Sequence, residues 1–277
     1  MDFNLYEQAQ KKIIVAAHRG SAAGNIPCNT IPAFKAAKSD GADMLEIDVD
    51  MSLDGKLLIF HPGMEMAHLG INESIRNMDY EQIKDLRYLN YDRTKTQFGL
   101  NTLDDFFEEF KDKCFINVDK FWEHPEQIYN AIKKHNIKEQ ILVKSAPSET
   151  IFSYLEENAP ELAYMPIVKH TNHVHQRLMN SKINYVGAEV IFPNESDEVA
   201  SEKFIEFMHK SKKLVWANAI IYSYKSQLSA THSDDTSIID NPSLGWGWLA
   251  RRGFDIIQTD WTAKMVKYLL AEDLLYR

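Results

Sequence analysis

His18, Arg19 and Gly20 are followed by Glu46 and Asp48 and then, beyond Asp54-Gly55, by His61. Two imidazoles can divide the work of proton transfer, one taking a proton from a nucleophile and the other giving one to a leaving alkoxide. Two carboxylates spaced i, i+2 on a strand share a face, where they repel each other unless something positive joins them. A hard divalent cation, Mg²⁺ or Ca²⁺, suits such oxygen donors and polarises a phosphoryl group while offsetting its charge. Arg19 adds planar, permanently charged donors that fit phosphate oxygens, and Gly20 lets the backbone approach a ligand closely. Together these residues suit metal-assisted attack on a phosphodiester. Taken singly, each has a plainer reading: Glu-x-Asp as a salt bridge or solvated strand end, His18 as a hydrogen-bonded core histidine. The grouping is what points to a site.

Such residues need a frame, and the hydrophobic pattern supplies one. Short β-branched runs alternate with longer amphipathic stretches, which implies βα units and a parallel sheet. The spacing predicts strands over Ile13–Ala17, Asp43–Val49, Cys114–Asp119, Gln140–Lys144, Ala163–Val168, Tyr185–Ile191, Lys213–Asn218 and Asp255–Gln258. Helices are predicted over Ile31–Ser39, Glu126–His135, Ser148–Asn158, Thr171–Asn180, Ser196–Ser211 and Ala263–Ala271, and Asp104–Glu109 reads as an amphipathic helix, not an acidic site. The expected fold is an α/β (β/α)8 TIM barrel with a hairpin and loop insertion after the second strand, and barrels of this kind run to about 250 residues as one unit. A single domain over residues 1–277 follows, with an insertion at about 62–102. Asp54-Gly55 is a two-residue hairpin signal. A turn there would fold the second strand back on itself and set Asp48 opposite His61.

The bulk numbers bound the function classes. The chain has 277 residues, with 40 acidic against 31 basic for a net charge of −9, which argues against a nucleic-acid partner. Cys28 and Cys114 make neither a disulfide framework nor a zinc pattern. The polar stretch Met1–Lys12 and the short apolar run Ile13–Ala17 fit neither a signal peptide nor a membrane span, so a cytoplasmic protein is expected. Oligomeric state is not set by the sequence.

His18-Arg19-Gly20, Pro27-Cys28-Asn29-Thr30, Glu46-Ile47-Asp48-Val49, Asp54-Gly55 and His61 resemble the glycerophosphodiester phosphodiesterases, within the wider group of phosphodiesterase barrels that includes phosphatidylinositol phospholipase C. The resemblance is dense over residues 13–61 and looser at Asn117–Asp119, Val215–Asn218 and Gly253–Asp260. It implies a barrel that hydrolyses glycerophosphodiesters to glycerol 3-phosphate and an alcohol with a divalent cation. It also implies His18 and His61 as the acid/base pair, Arg19 as a phosphate contact, Glu46 and Asp48 as metal ligands, and Asp119 in place of a third ligand that is usually Glu. The chain departs from the family at Cys28, which replaces a carboxylate. It departs again at Pro62, where an acid usually follows the second histidine, and at Phe121, where a lysine is usual. Lys120 is one residue early and by alternation points to the other face, whereas Lys144 on the next strand is placed to supply the missing charge, or is an ordinary exposed lysine.

Other candidates have competing readings. Trp216 and Asn218 share a face near a strand end, and Trp216 could meet the substrate's alcohol portion. Glu189 could add an inward carboxylate but is not counted as a ligand. His170, His173 and His175 have some metal-ligand spacing but read as a solvated face, His232-Ser-Asp-Asp235 in a long excursion over 219–253 reads as capping and solvation or else as a substrate or ion contact, and Trp246 and Trp248 as a lid or as loop packing. Two alternatives to the glycerophosphodiesterase reading stay open. One is a lysophospholipase D or phospholipase C-like enzyme on a lipid, and the other is a barrel that binds phosphodiesters after losing turnover.

Overall fold

The computed structural model describes residues 3–171 and 173–277. Its strands in chain order are β1 (Ile14–His18), β2 (Met44–Met51), β3 (Leu57–Ile59), β4 (Phe115–Asp119), β5 (Ile141–Ser145), β6 (Ala163–Val168), β7 (Gly187–Val190), β8 (Leu214–Asn218), β9 (Ile221–Ser223), β10 (Ser226–Gln227) and β11 (Ile256–Thr259). The helices are α1 (Leu5–Lys11), α2 (Ile31–Ser39), α3 (Glu65–His68), α4 (Tyr80–Ile83), α5 (Leu103–Phe110), α6 (Pro125–His135), α7 (Glu149–Asn158), α8 (Val174–Met179), α9 (Glu202–Lys210), α10 (Trp246–Arg252) and α11 (Thr262–Ala271). Strands β1, β2, β4, β5, β6, β7, β8 and β11 pair in parallel, and β1 bonds to both β2 and β11, so the sheet closes into the expected (β/α)8 barrel.

Side-chain alternation divides each barrel strand between two environments. Val15, Ala17, Leu45, Ile47, Val49, Ile116 and Val118 point outward into the layer shared with the helices. The opposite parity faces the barrel axis. At the amino-terminal end of the strands it is apolar, with Ile14, Ala16, Met44, Phe115, Leu142, Leu214, Trp216 and Ile256 packed beneath Leu5 and Ala9 of α1. Continued toward the carboxyl-terminal end, the same faces carry His18, Glu46, Asp48, Asn117, Asp119, Lys144, Asn218 and Gln258. The interior is therefore oily at one end and polar at the other, where barrel active sites collect. Helix α1 arises from a stretch that reads as merely polar. Asn4 caps it by accepting a hydrogen bond from the Glu7 amide at 3.2 Å.

The helix starts follow local chemistry. Thr30 caps α2 and is followed by Pro32 in the first turn, and Thr102 and Asp105 form a reciprocal capping box at α5. Helix α8 is shorter than the 171–180 stretch expected for it, and Asn172 lies outside the described residues.

The hairpin after β2 forms, but with a different register. Val49 pairs with Ile59 and Met51 with Leu57, so Asp48 faces Phe60, whose amide donates to the Asp48 carbonyl at 3.0 Å. The connection uses three residues, not two. The Gly55 amide donates to the Ser52 carbonyl, the Ser52 amide to the Lys56 carbonyl, and Gly55 takes φ +85°. A type I turn followed by a left-handed residue adds one residue to the loop and shifts the pairing by one. His61 thus lies just past the hairpin partner of Asp48. The excursion over 62–102 packs Leu69, Ile75, Ile83, Tyr88 and Leu100 against Leu58 and Phe60 of the hairpin in a small core, and Arg76 ties it to buried Asp50 at 2.7 Å.

Candidate active site

Parallel register brings the inward polar residues together. His18 lies beside Glu46, and Asp48 beside Asp119. Ligand atoms of Glu46, Asp48 and Asp119 lie within 4.8 Å of one another, the one such group among the described residues. Burial and the neighbouring Asp48 push the Glu46 carboxyl up to about 7. Burial also opposes ionisation of Asp119, but Lys120 and Lys144 outweigh it and hold that carboxyl below its ordinary value. Asp48 Oδ1 is buried with no hydrogen-bond partner. Three crowded carboxylates and an orphaned oxygen fit a hard divalent cation, which would let all three ionise together.

Arg19 turns into this cluster because its backbone is left-handed, at φ +55°. Its amide donates to the Glu46 carboxylate at 3.0 Å, and its Nε lies 2.7 Å from Asp48 Oδ2. Asn29 Nδ2 donates to the same Asp48 oxygen at 2.8 Å, and Asn29 is itself in a left-handed conformation. The loop between β1 and α2 thereby holds the metal-type carboxylates from two sides. Gly20, at φ +80°, packs so close to α2 that a β-carbon would stand 2.7 Å from the Ala33 carbonyl carbon.

The two histidines sit in opposite electrostatic settings. His18 Nδ1 donates to Asp260 Oδ1 at 2.7 Å, since a carboxylate can only accept, and this leaves Nε2 as the unprotonated nitrogen of the neutral ring. Burial works against the His18 imidazolium, but the Asp260 hydrogen bond and the Glu46 charge outweigh it and raise its pKa. His61 Nδ1 donates to the Pro62 carbonyl at 2.8 Å, again leaving Nε2. Burial lowers the His61 pKa, with Arg19 and Lys120 adding to that and Asp48 opposing it.

Cationic side chains rim the cleft. Lys120 does not point away, as alternation predicts. Strand β4 ends at Asp119, and Lys120 takes φ +61°, which turns its side chain back to Asp119 Oδ2 at 2.8 Å. Its ammonium stands 5.1 Å from the Trp122 ring centre. Lys144 reaches the cleft as well, but its Nζ is 2.5 Å from Glu189 Oε2 and 3.7 Å from the Trp216 ring centre. Trp216 is fully buried in the barrel interior and does not itself line the cleft. It is the platform beneath Lys144, and its indole donates to Asn218 Oδ1 at 2.9 Å. The cleft is narrow, about 90 Å³, with Tyr222, Ile220 and Leu228 of the 219–253 excursion along one side. A larger hollow of about 770 Å³ opens at the other end of the barrel beside α1, away from this chemistry.

Several neighbours of the site carry no local signal. Asp260 meets His18 across 242 positions, and Asn29 was legible only as part of a motif. His68, from the insertion, has Nδ1 3.9 Å from the Cys28 sulfur, and burial pushes the Cys28 thiol up to about 11. His175 is buried and bonded to Tyr185 at 2.5 Å, not on a solvated face. His232 stacks on Trp248 with ring centres 3.6 Å apart, so this part of the excursion is packed.

Comparisons with known proteins come from both sequence and fold. A sequence-family profile described as a domain of unknown function matches residues 164–269. A glycerophosphodiester phosphodiesterase of Caldanaerobacter subterraneus subsp. tengcongensis is 31% identical over 142 residues, 48% of this chain and 58% of that one. A lysophospholipase D of Mus musculus is 30% identical over 71 residues, 26% of this chain and 21% of that one. The chain thus spans little more than half the length of the first of these curated relatives. Among solved structures, a glycerophosphoryl diester phosphodiesterase from Parabacteroides distasonis superposes with a TM-score of 0.80 at 17% identity, covering 98% of this chain and 93% of that one. An Oleispira antarctica phosphodiesterase in complex with the product sn-glycerol-3-phosphate gives 0.69 at 19% identity, covering 96% and 98%. The chain shares the barrel fold of the glycerophosphodiester phosphodiesterases and resembles them in sequence over about half its length.

Proposed function

We propose that this one-domain barrel hydrolyses glycerophosphodiesters to glycerol 3-phosphate and an alcohol. The observation that carries this reading is the cluster of Glu46, Asp48 and Asp119 flanked by two histidines whose surroundings push their pKa values apart. Glu46, Asp48 and Asp119 would hold a divalent cation, Mg²⁺ or Ca²⁺, which when bound offsets the phosphoryl charge. Arg19 and the two lysines, Lys120 and Lys144, orient the diester's oxygens. His61, whose surroundings favour the neutral imidazole, takes the proton of the nucleophile through Nε2 as the new P–O bond forms. His18, whose surroundings favour the imidazolium, gives its proton to the alkoxide as the old P–O bond breaks, so the alcohol leaves neutral. The nucleophile is a water, or it is the substrate's own 2-hydroxyl, in which case the alcohol leaves a cyclic phosphate that a water then opens to glycerol 3-phosphate.

The test is release of glycerol 3-phosphate from glycerophosphocholine, with and without Mg²⁺, Ca²⁺ or Mn²⁺ and after chelation. Turnover that chelation abolishes and a cation restores is expected. Absence of turnover with every cation and every diester tried would leave a binding barrel. A lipid substrate is the second reading, favoured by the exposed Tyr222 and Tyr224 on the β9–β10 hairpin at the cleft's edge. Faster hydrolysis of lysophosphatidylcholine than of glycerophosphocholine would select it.

A further inference from the structure

Asp234 lies in the excursion between β8 and β11, in a stretch whose residues read as solvated, yet its side chain is almost fully buried. Its two oxygens take three hydrogen bonds. Oδ1 accepts from the Trp246 indole at 2.6 Å and from the Thr259 hydroxyl at 2.7 Å, and Oδ2 accepts from the Asp260 amide at 2.7 Å. The Asp234 amide in turn donates to the Ala219 carbonyl at the end of β8, at 2.7 Å. Thr259 and Asp260 are consecutive, so one carboxylate grips a side chain and a backbone amide on either side of a single peptide unit. The carboxylate of that same Asp260 reaches His18 Nδ1 at 2.7 Å. Asp260 is itself half-exposed, and among the described residues its carboxylate meets no side chain other than His18 within hydrogen-bond distance. What aims it is the backbone that Asp234 holds.

We infer that Asp234 is a positioning residue for His18. It acts through Asp260 to fix the tautomer and direction of the imidazole, and it couples the 219–253 excursion to proton transfer. A buried carboxylate is costly to leave short of donors, so such a node is rigid when complete. The inference rests on the phosphodiesterase reading only for its kinetic consequence, because the orientation of His18 can be observed without turnover.

Asp234→Asn is the selective probe. The amide oxygen can still accept from Trp246 and Thr259, but its NH₂ then faces the Asp260 amide, donor against donor. We expect kcat to fall about tenfold with KM unchanged, since a misdirected acid is felt in the transition state and not in binding. Asp260→Asn should cost at least as much, and the double variant should cost no more than Asp260→Asn alone. A merely structural role would instead multiply the two losses, and that result would overturn the inference. The ¹⁵N imidazole spectrum gives the second readout: the Nδ1–H signature of His18 should be lost or averaged in Asp234→Asn at unchanged fold. An unaltered signature would also overturn the inference. If the wild-type protein shows no turnover, the phosphodiesterase reading fails while this spectrum still decides the positioning role. Should Asp234→Asn not fold, Thr259→Val removes one donor from the same carboxylate, and a loss of roughly threefold in kcat that vanishes in the Asp260→Asn background is expected. A loss that persists in that background counts against the inference.

Discussion

At the scale of single residues, His18 and His61 have the same side chain and different surroundings. The donor must start protonated and the acceptor neutral. His18 is raised above the ordinary histidine value of 6.5 and His61 is lowered below it. Activity should therefore rise as pH climbs through the His61 value, below about 6.5, and fall as it passes the His18 value, above about 6.5. Asp260→Asn removes a contribution that raises His18, so a pH–rate profile of that variant should show the falling limb moved to lower pH. His18→Ala and His61→Ala should each lower kcat by about 10²–10⁴-fold while calorimetric cation affinity stays close to that of the parent. Near-normal rates in either would remove the acid/base assignment. Glu46→Gln should do the reverse and weaken cation binding first, by titration calorimetry. His18, Glu46 and Asp48 were legible in the sequence because the strand period of two places them on one face without further information. Lys120 was not, because the alternation that assigns it outward stops at Asp119, where the backbone turns left-handed.

At the scale of elements, two glycines separate strain from space. Gly55 forms the left-handed position of the β2–β3 loop, and a β-carbon there would meet nothing within 4 Å. Gly55→Ala should therefore cost only the backbone conformation, about 1 kcal/mol, or about 2–4 °C in melting temperature. Gly20 has the same sign of φ, but a β-carbon there would stand 2.7 Å from the Ala33 carbonyl carbon in the backbone of α2. Gly20→Ala must move the helix that follows the Arg19 loop, so it should destabilise by clearly more and also raise KM as Arg19 shifts. Equal melting temperatures for the two variants would contradict this contrast. The barrel strands were predicted to within one or two residues at most ends because their apolar runs are long enough to show. The hairpin's existence was equally plain from Asp54-Gly55, but its register was not. Two-residue and three-residue loops share that dipeptide, and one residue decides which side chains face each other.

At the scale of the whole molecule, stability and chemistry occupy opposite ends of one interior. At the amino-terminal end Leu5 and Ala9 pack over an apolar layer that includes Trp216, and the carboxyl-terminal end holds charge. Leu5→Ala should cost about 2–4 kcal/mol in denaturant unfolding by leaving a cavity in that layer. It should leave kcat unchanged, since Leu5 lies at the end of the barrel remote from the cleft. A large fall in kcat with little loss of stability would instead mean that the two ends are coupled through Trp216 and Lys144, which stack at 3.7 Å.

By itself the sequence determined the barrel, the inward pairing of Glu46 with Asp48, and the grouping of these with His18. These depend on local periodicity and on motifs contained within a few residues. Only the tertiary structure decided that Lys120 turns into the cleft, that Lys144 is engaged by Glu189 above Trp216, and that Asp260 and Asp234 stand behind His18. Those partnerships join residues up to 242 positions apart. Closure of the barrel sets the β11 end beside the β1 end, a consequence of global topology that no spacing along the chain encodes.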